Sequence, residues 1–130
     1  DLPMAMTAHV VYRALDDLPA TLSPVVIDAI RRAIGFDGLL MSDDISMKAL
    51  SGTPAGLARA AIAAGCDVVL HCNGSLDEKR AVADASGRLS GPALARAQAA
   101  VAARRAPDDV DIAALSAQLE ALENGRNDGG

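Results

Sequence analysis

Aromatic residues are nearly absent from this chain: one Phe, one Tyr and no Trp, 2% of 130 residues. Any core must therefore be packed from Ala, Val, Leu and Ile, which suits helices laid closely over a sheet. Nor is there a Lys/Arg cluster interleaved with aromatics, and the net charge is −5, so nucleic acid is not an expected partner. No run approaches the roughly 18 consecutive apolar residues of a membrane span, and no charged leader followed by an apolar run opens the sequence. A soluble, cytoplasmic protein with no membrane partner is expected. Cysteine is scarce too. Cys66 and Cys72 share one apolar run, and about six residues of extended strand put them roughly 20 Å apart. They are expected as reduced, buried thiols, neither paired nor metal-bound. A Gly-rich phosphate loop, a GxSxG elbow and an HExxH pattern are all missing, and no metal or cofactor is expected.

What is present is 51% hydrophobic, enough for one modest domain and too apolar for disorder. Residues 4–11, 38–43 and 66–72 read as strands. Leu39, Leu40 and Met41 form an unbroken apolar run after Gly35 and Gly38, the pattern of a parallel strand covered on both faces. Between the strands stand two helices with the same punctuation. Ser23-Pro24 and Thr53-Pro54 give an N-cap followed by proline at the first helical position, and Gly35 and Gly65 stand just past the ends. Strand and helix recur about every thirty residues, the period of βα units with right-handed crossovers. Beyond Ser75 only helices are expected: one with the stripe Ala81, Val82, Ala85 and Leu89, an Ala-rich one from Gly91 to about Arg105, and one carrying Ile112, Leu115, Leu119 and Leu122. Residues 124–130 contain no apolar side chain and are expected to be a disordered tail to a domain over 1–123.

Three parallel strands leave an edge or a face open. Asp1 also stands where a starting Met would be. The expectation is the C-terminal part of a larger α/β protein.

The central strand ends in adjacent carboxylates, Asp43 and Asp44. Ligands bind and chemistry occurs at the carboxyl ends of parallel strands, but Asp is also a favoured helix cap. One chemistry that uses a carboxylate here is retaining glycoside hydrolysis, in which an ionised Asp attacks the anomeric carbon and a second group handles the proton. Another is magnesium-dependent phosphotransfer, although a third acidic ligand and a lysine are not evident. On the residues alone, Asp43 is a candidate without a settled role. His9, near the end of the first strand, either lines a substrate site, bonds a catalytic neighbour, or is a core histidine satisfied by backbone. His71, inside an apolar run, reads as structural; Met47 reads as packing and Lys48 as a solvated loop residue.

Four segments carry a resemblance: MTAHVVY (6–12), PATLSP (19–24), GFDGLLMSDDISM (35–47) and AGCDVVLHCNG (64–74). In this order and spacing they resemble bacterial β-N-acetylhexosaminidases of glycoside hydrolase family 3, over roughly the first three fifths of the chain. The resemblance implies the last three βα units of a TIM-type (β/α)8 barrel followed by C-terminal helices, an incomplete barrel. It implies Asp43 as the catalytic nucleophile, with Asp44 as an adjacent polar support. It also implies a carbohydrate substrate, an N-acetylglucosaminide such as a cell-wall muropeptide in peptidoglycan recycling. The family's Asp-His acid/base loop and Lys-His sugar-binding motif lie upstream in the barrel and match nothing in this chain. The chain by itself is thus expected to be inactive and to need the missing N-terminal barrel segment as its partner. The competing expectations are a non-catalytic barrel remnant that depends on a partner and, more weakly, the magnesium-dependent phosphotransfer domain.

Overall fold

The computed structural model describes residues 2–127. Three strands, β1 (Met4–Met6), β2 (Leu39–Asp44) and β3 (Val68–Leu70), form one sheet in that order, with both pairs parallel. This is the α/β arrangement that the spacing implies.

Between β1 and β2 the chain makes a helical turn at Ala20–Leu22 and then α1 (Pro24–Asp28). The Ser23 side chain accepts the Val26 N–H at 3.0 Å, the cap expected ahead of Pro24. α1 does not run regularly to Ile34: it widens into a π-helical turn over Ala29–Ala33, where the Ile34 amide bonds Ala29 at 3.0 Å. α2 (Pro54–Ala64) lies between β2 and β3, capped by Thr53 and stopped by Gly65 at φ 116. That left-handed conformation suits glycine, and a Cβ there would come within 2.9 Å of Ile27.

The sheet packs one face on α1 and α2. Ile27, Leu40, Ala61, Ala64 and Cys66 form the buried layer, flanked by Ala5, Ile30, Phe36 and Val69. With so few aromatics, small residues set the packing: Ala58 and Ala61 are wholly buried, so α2 sits close to its neighbours on both sides. A second cluster joins Ile45, Leu57, Ala58 and Val82, tying α2 to α3 (Leu76–Ser86). The capping box of α3 is Ser75 with Glu78. On the other face of β1, Met4 and Met6 are exposed.

α4 (Gly91–Ala102) returns beneath the amino ends of the strands, where Ala95, Arg96 and Ala99 share a cleft with Pro3, Asp37 and Gly38. The buried Asp67 carboxylate clasps this end together. It meets Arg31 at 2.6 Å and Arg96 at 3.0 Å, and accepts the Leu40 amide at 2.9 Å.

Several boundaries differ from expectation. β1 stops at Met6 rather than reaching Val11: the Thr7 amide makes the last backbone bond to β2, at Met41, and beyond it the chain turns away so that Val10 and Val11 meet Ala20 and Pro19. β3 covers Val68–Leu70 rather than 66–72, and past it the Cys72 amide turns to the Asp44 carboxylate instead of a backbone carbonyl. α3 and α4 end before Leu89 and Arg105. α5 runs over Ile112–Asn127, so the tail expected from residue 124 does not begin there; its last part, 128–130, lies outside the described residues. Ile112, Leu115, Leu119 and Leu122 fall on α5 as expected, and all are exposed.

Candidate functional site

The site forms where the regular ladder between β2 and its neighbours fails. Met41 pairs with Val68, but the next partners are Asp44 and Leu70, so β2 spends one more residue than β3 over this stretch. The result is a bulge at Ser42–Asp43. Bulges bend a strand, leave backbone groups unpaired and re-aim side chains, and they gather near active sites. The groups this one frees are buried or half-buried and must find other partners.

Side chains supply them. Ser42, wholly buried, accepts the Leu70 amide on its hydroxyl at 2.9 Å. The Thr7 amide still reaches the Met41 carbonyl at 2.9 Å, and the Thr7 hydroxyl accepts the Asp43 amide at 3.3 Å. Thr7 and Thr21 are buried, with their hydroxyls 2.8 Å apart. His9 completes the set: Nδ1 lies 2.9 Å from the Thr21 hydroxyl and Nε2 2.9 Å from the Asp44 carbonyl. Both ring nitrogens of His9 thus have protein partners, and neither is left over for a sugar hydroxyl.

The two carboxylates are sharply distinguished. Asp44 is fully engaged: Oδ1 accepts the Ser46 and Cys72 amides at 2.9 and 3.1 Å, and Oδ2 accepts the Ser46 hydroxyl at 2.7 Å. The Ser46 hydroxyl is the main reason that its pKa falls from 3.8 to about 2, against the opposing effect of desolvation. Asp44 therefore locks the β2 loop to the end of β3, as a support would. Asp43 is half-buried, and among the described residues its carboxylate has one partner, the Asp44 amide on Oδ1 at 2.8 Å. That leaves Oδ2 unencumbered at the carboxyl end of the central strand, as a nucleophile requires.

Cys72 lies exposed at the same rim, its thiol pKa raised by desolvation and then by the Asp44 charge. The expectation that both thiols are buried holds for Cys66 alone. His71 lines a cavity with Ile45 and Ser46, and neither of its buried ring nitrogens has a partner among the described residues. Among those residues, no three His, Cys, Asp or Glu side chains are grouped so as to hold a metal, and no helix is long and apolar enough to cross a membrane.

Sequence reasoning missed Ser42, Thr7 and Thr21. Thr7 and Thr21 sit inside MTAHVVY and PATLSP, and their presence in apolar surroundings was the available signal. The bulge left none.

Residues 1–105 match the family described as Glycosyl hydrolase family 3 N terminal domain. The chain belongs to glycosyl hydrolase family 3. Relatives in the family include a Beta-hexosaminidase of Alkalilimnicola ehrlichii, 49% identical over 75 residues, 55% of this chain and 22% of the relative. A Beta-hexosaminidase of Tolumonas auensis is 40% identical over 100 residues, 75% of this chain and 29% of the relative. Among solved structures, the family 3 β-N-acetylglucosaminidase of Paenibacillus sp. str. FPU-7 aligns over 86% of this chain and 25% of its own, with TM-score 0.66 and 30% identity. The β-N-acetylglucosaminidase of Thermotoga maritima aligns over 78% of this chain and 25% of its own, with TM-score 0.60 and 28% identity. The aligned part thus spans about a quarter of each of these proteins. The small parallel sheet with its helices agrees with the barrel domain of this family.

Proposed function

We propose that this chain is the C-terminal portion of the catalytic barrel of a retaining β-N-acetylhexosaminidase, with Asp43 as its nucleophile. The observation that carries the reading is the contrast at the tip of β2. Asp44 has spent its oxygens on the loop, whereas Asp43 keeps one free. Family membership and the names of the relatives support the substrate class, a glycoside ending in N-acetylglucosamine; cell-wall muropeptides handled in the cytoplasm are the natural members of that class.

The chemistry follows from the free oxygen. Asp43 Oδ2 attacks the anomeric carbon as the glycosidic bond breaks, and a proton donor supplies the departing oxygen. Water then takes the sugar from the carboxylate with net retention. The Asp44 amide on Oδ1 orients the carboxylate and disperses its charge. The proton donor and the sugar clamp would come from upstream Asp-His and Lys-His motifs, so the 130-residue chain should not turn over alone. It would complete its site with the missing N-terminal barrel segment, whose neighbouring strands would also pair the open edges of β1 and β3.

The test uses the whole open reading frame in which this chain lies. It should hydrolyse an aryl N-acetylglucosaminide. When quenched during turnover of a slow fluorinated glycoside, it should carry one glycosyl residue on the peptide containing Asp43. A label on another residue would overturn the assignment, and a start codon at this chain with no such motifs upstream would favour the partner-dependent remnant instead.

A further inference from the structure

The bonds around the bulge have a direction that can be read without seeing a hydrogen. The Asp43 amide can only donate, so Thr7 Oγ accepts from it. At the opposite end the Asp44 carbonyl can only accept, so His9 Nε2 must carry a proton. In the neutral ring, Nδ1 is then an acceptor, and the Thr21 hydroxyl donates to it. Thr21 Oγ is left to accept from the Thr7 hydroxyl. Every donor meets one acceptor, from the Asp43 amide through Thr7, Thr21 and His9 to the Asp44 carbonyl. The opposite tautomer would set bare Nε2 against a carbonyl oxygen 2.9 Å away, two acceptors with nothing between them.

From this closed circuit we infer that His9 is a positioning residue for Asp43. In its Nε2–H tautomer it holds, with Thr21 and Thr7, both outer ends of the Asp43–Asp44 segment and so fixes the direction of the Asp43 carboxylate. The need for such a clamp arises because the ladder to β1 ends at Met6 and Met41, which leaves the Asp43 amide to the Thr7 hydroxyl; the Asp44 carbonyl, which also accepts the Met47 amide at 3.1 Å, takes His9 as its second donor. With Thr7 and Thr21 buried, solvent does not readily replace these bonds, and the half-buried ring of His9 closes the circuit from the side. The role assigned to Asp43 rests on the function proposed above; the circuit itself does not.

Nuclear magnetic resonance of the 130-residue chain with 15N-labelled histidine tests the inference without any turnover, so its failure is distinct from failure of the glycosidase reading. His9 should show a protonated Nε2 that exchanges slowly with solvent and an unprotonated Nδ1. Thr21→Val should speed exchange of the His9 Nε2 proton and the Asp43 amide by about tenfold, the loss of one hydrogen bond, while the Leu40 and Ala61 amides stay protected. Thr21→Ser, which restores the hydroxyl, should return both. A ring protonated at Nδ1, or a freely exchanging Nε2 proton in the unsubstituted chain, overturns the inference. So does a Thr21→Val chain in which Asp43 is unaffected, or in which Leu40 loses protection equally, since the role would then be one of packing alone.

Discussion

Arg31, on the widened turn after α1, donates to the Asp67 carboxylate at 2.6 Å across the amino end of the sheet, with side-chain exposures of 16% and 4% respectively. Arg31 also donates to the Phe36 and Gly38 carbonyls at 3.0 and 2.7 Å, and Arg96 of α4 takes the second oxygen of Asp67. One buried anion therefore joins α1, the sheet and α4. Removing one partner of a buried ion pair leaves the other charges uncompensated, at a cost of about 3 kcal/mol or more. Asp67→Ala should lower the stability of the chain by that amount in urea unfolding, and Arg96→Ala, at the more exposed partner, by clearly less.

Asp43→Asn should leave the fold intact, because the amide oxygen can still accept the Asp44 N–H. In the whole reading frame it should reduce kcat on an aryl N-acetylglucosaminide by on the order of 10^3 to 10^6, as loss of a covalent nucleophile does. Asp44→Asn should act differently. It loosens the loop and should affect KM and stability more than Asp43→Asn does, with less effect on kcat. Steady-state kinetics of the two variants side by side separate these roles.

The pKa of Asp44 gives a pH dependence with a definite sign. Its folded-state value, about 2, lies below the ordinary 3.8. The stability it contributes is therefore fully present above the unfolded value, and is lost as pH falls from about 4 through about 2. Unfolding midpoints of the chain and of Asp44→Asn should differ most above pH 5 and converge towards pH 2.

The two thiols should be separable by a simple alkylation count. Cys66 is buried and its pKa is raised from 9.0 to about 11, chiefly by burial and then by the neighbouring Asp67 charge. Cys72 is exposed. At pH 8, iodoacetamide should label Cys72 slowly and Cys66 only after denaturant is added, as read by peptide mass.

The extent to which all this was legible in the sequence follows from which forces are local. Capping and stop signals depend on a few neighbouring residues, so Ser23-Pro24, Thr53-Pro54 and Gly65 placed α1 and α2 well. The parallel sheet followed from the βα period. The bulge did not, since nothing in the sequence of β2 marks an extra residue, which becomes visible only when the strand is set against β3. The same holds for the length of β1, which ends where the chain leaves β2 and Val10 and Val11 meet Ala20 and Pro19 instead. Asp67, inside the stretch 66–72 that reads as a strand, gives no sign of its role there, because its partners, Arg31 and Arg96, are brought to it by separate helices. Asp43 was visible as a carboxylate at a strand tip, but its difference from Asp44 depends on Ser46 and Cys72, whose contacts no spacing reveals.

The Asp67 clasp and the Asp43 site lie at opposite ends of one strand, β2, and use separate side chains. Stability and chemistry can therefore drift independently. Replacements among Arg31, Arg96 and their neighbours would change how long the molecule survives without disturbing the carboxyl end of β2, and the loops after β2 and β3 could be exchanged while the amino end carries the mechanical load.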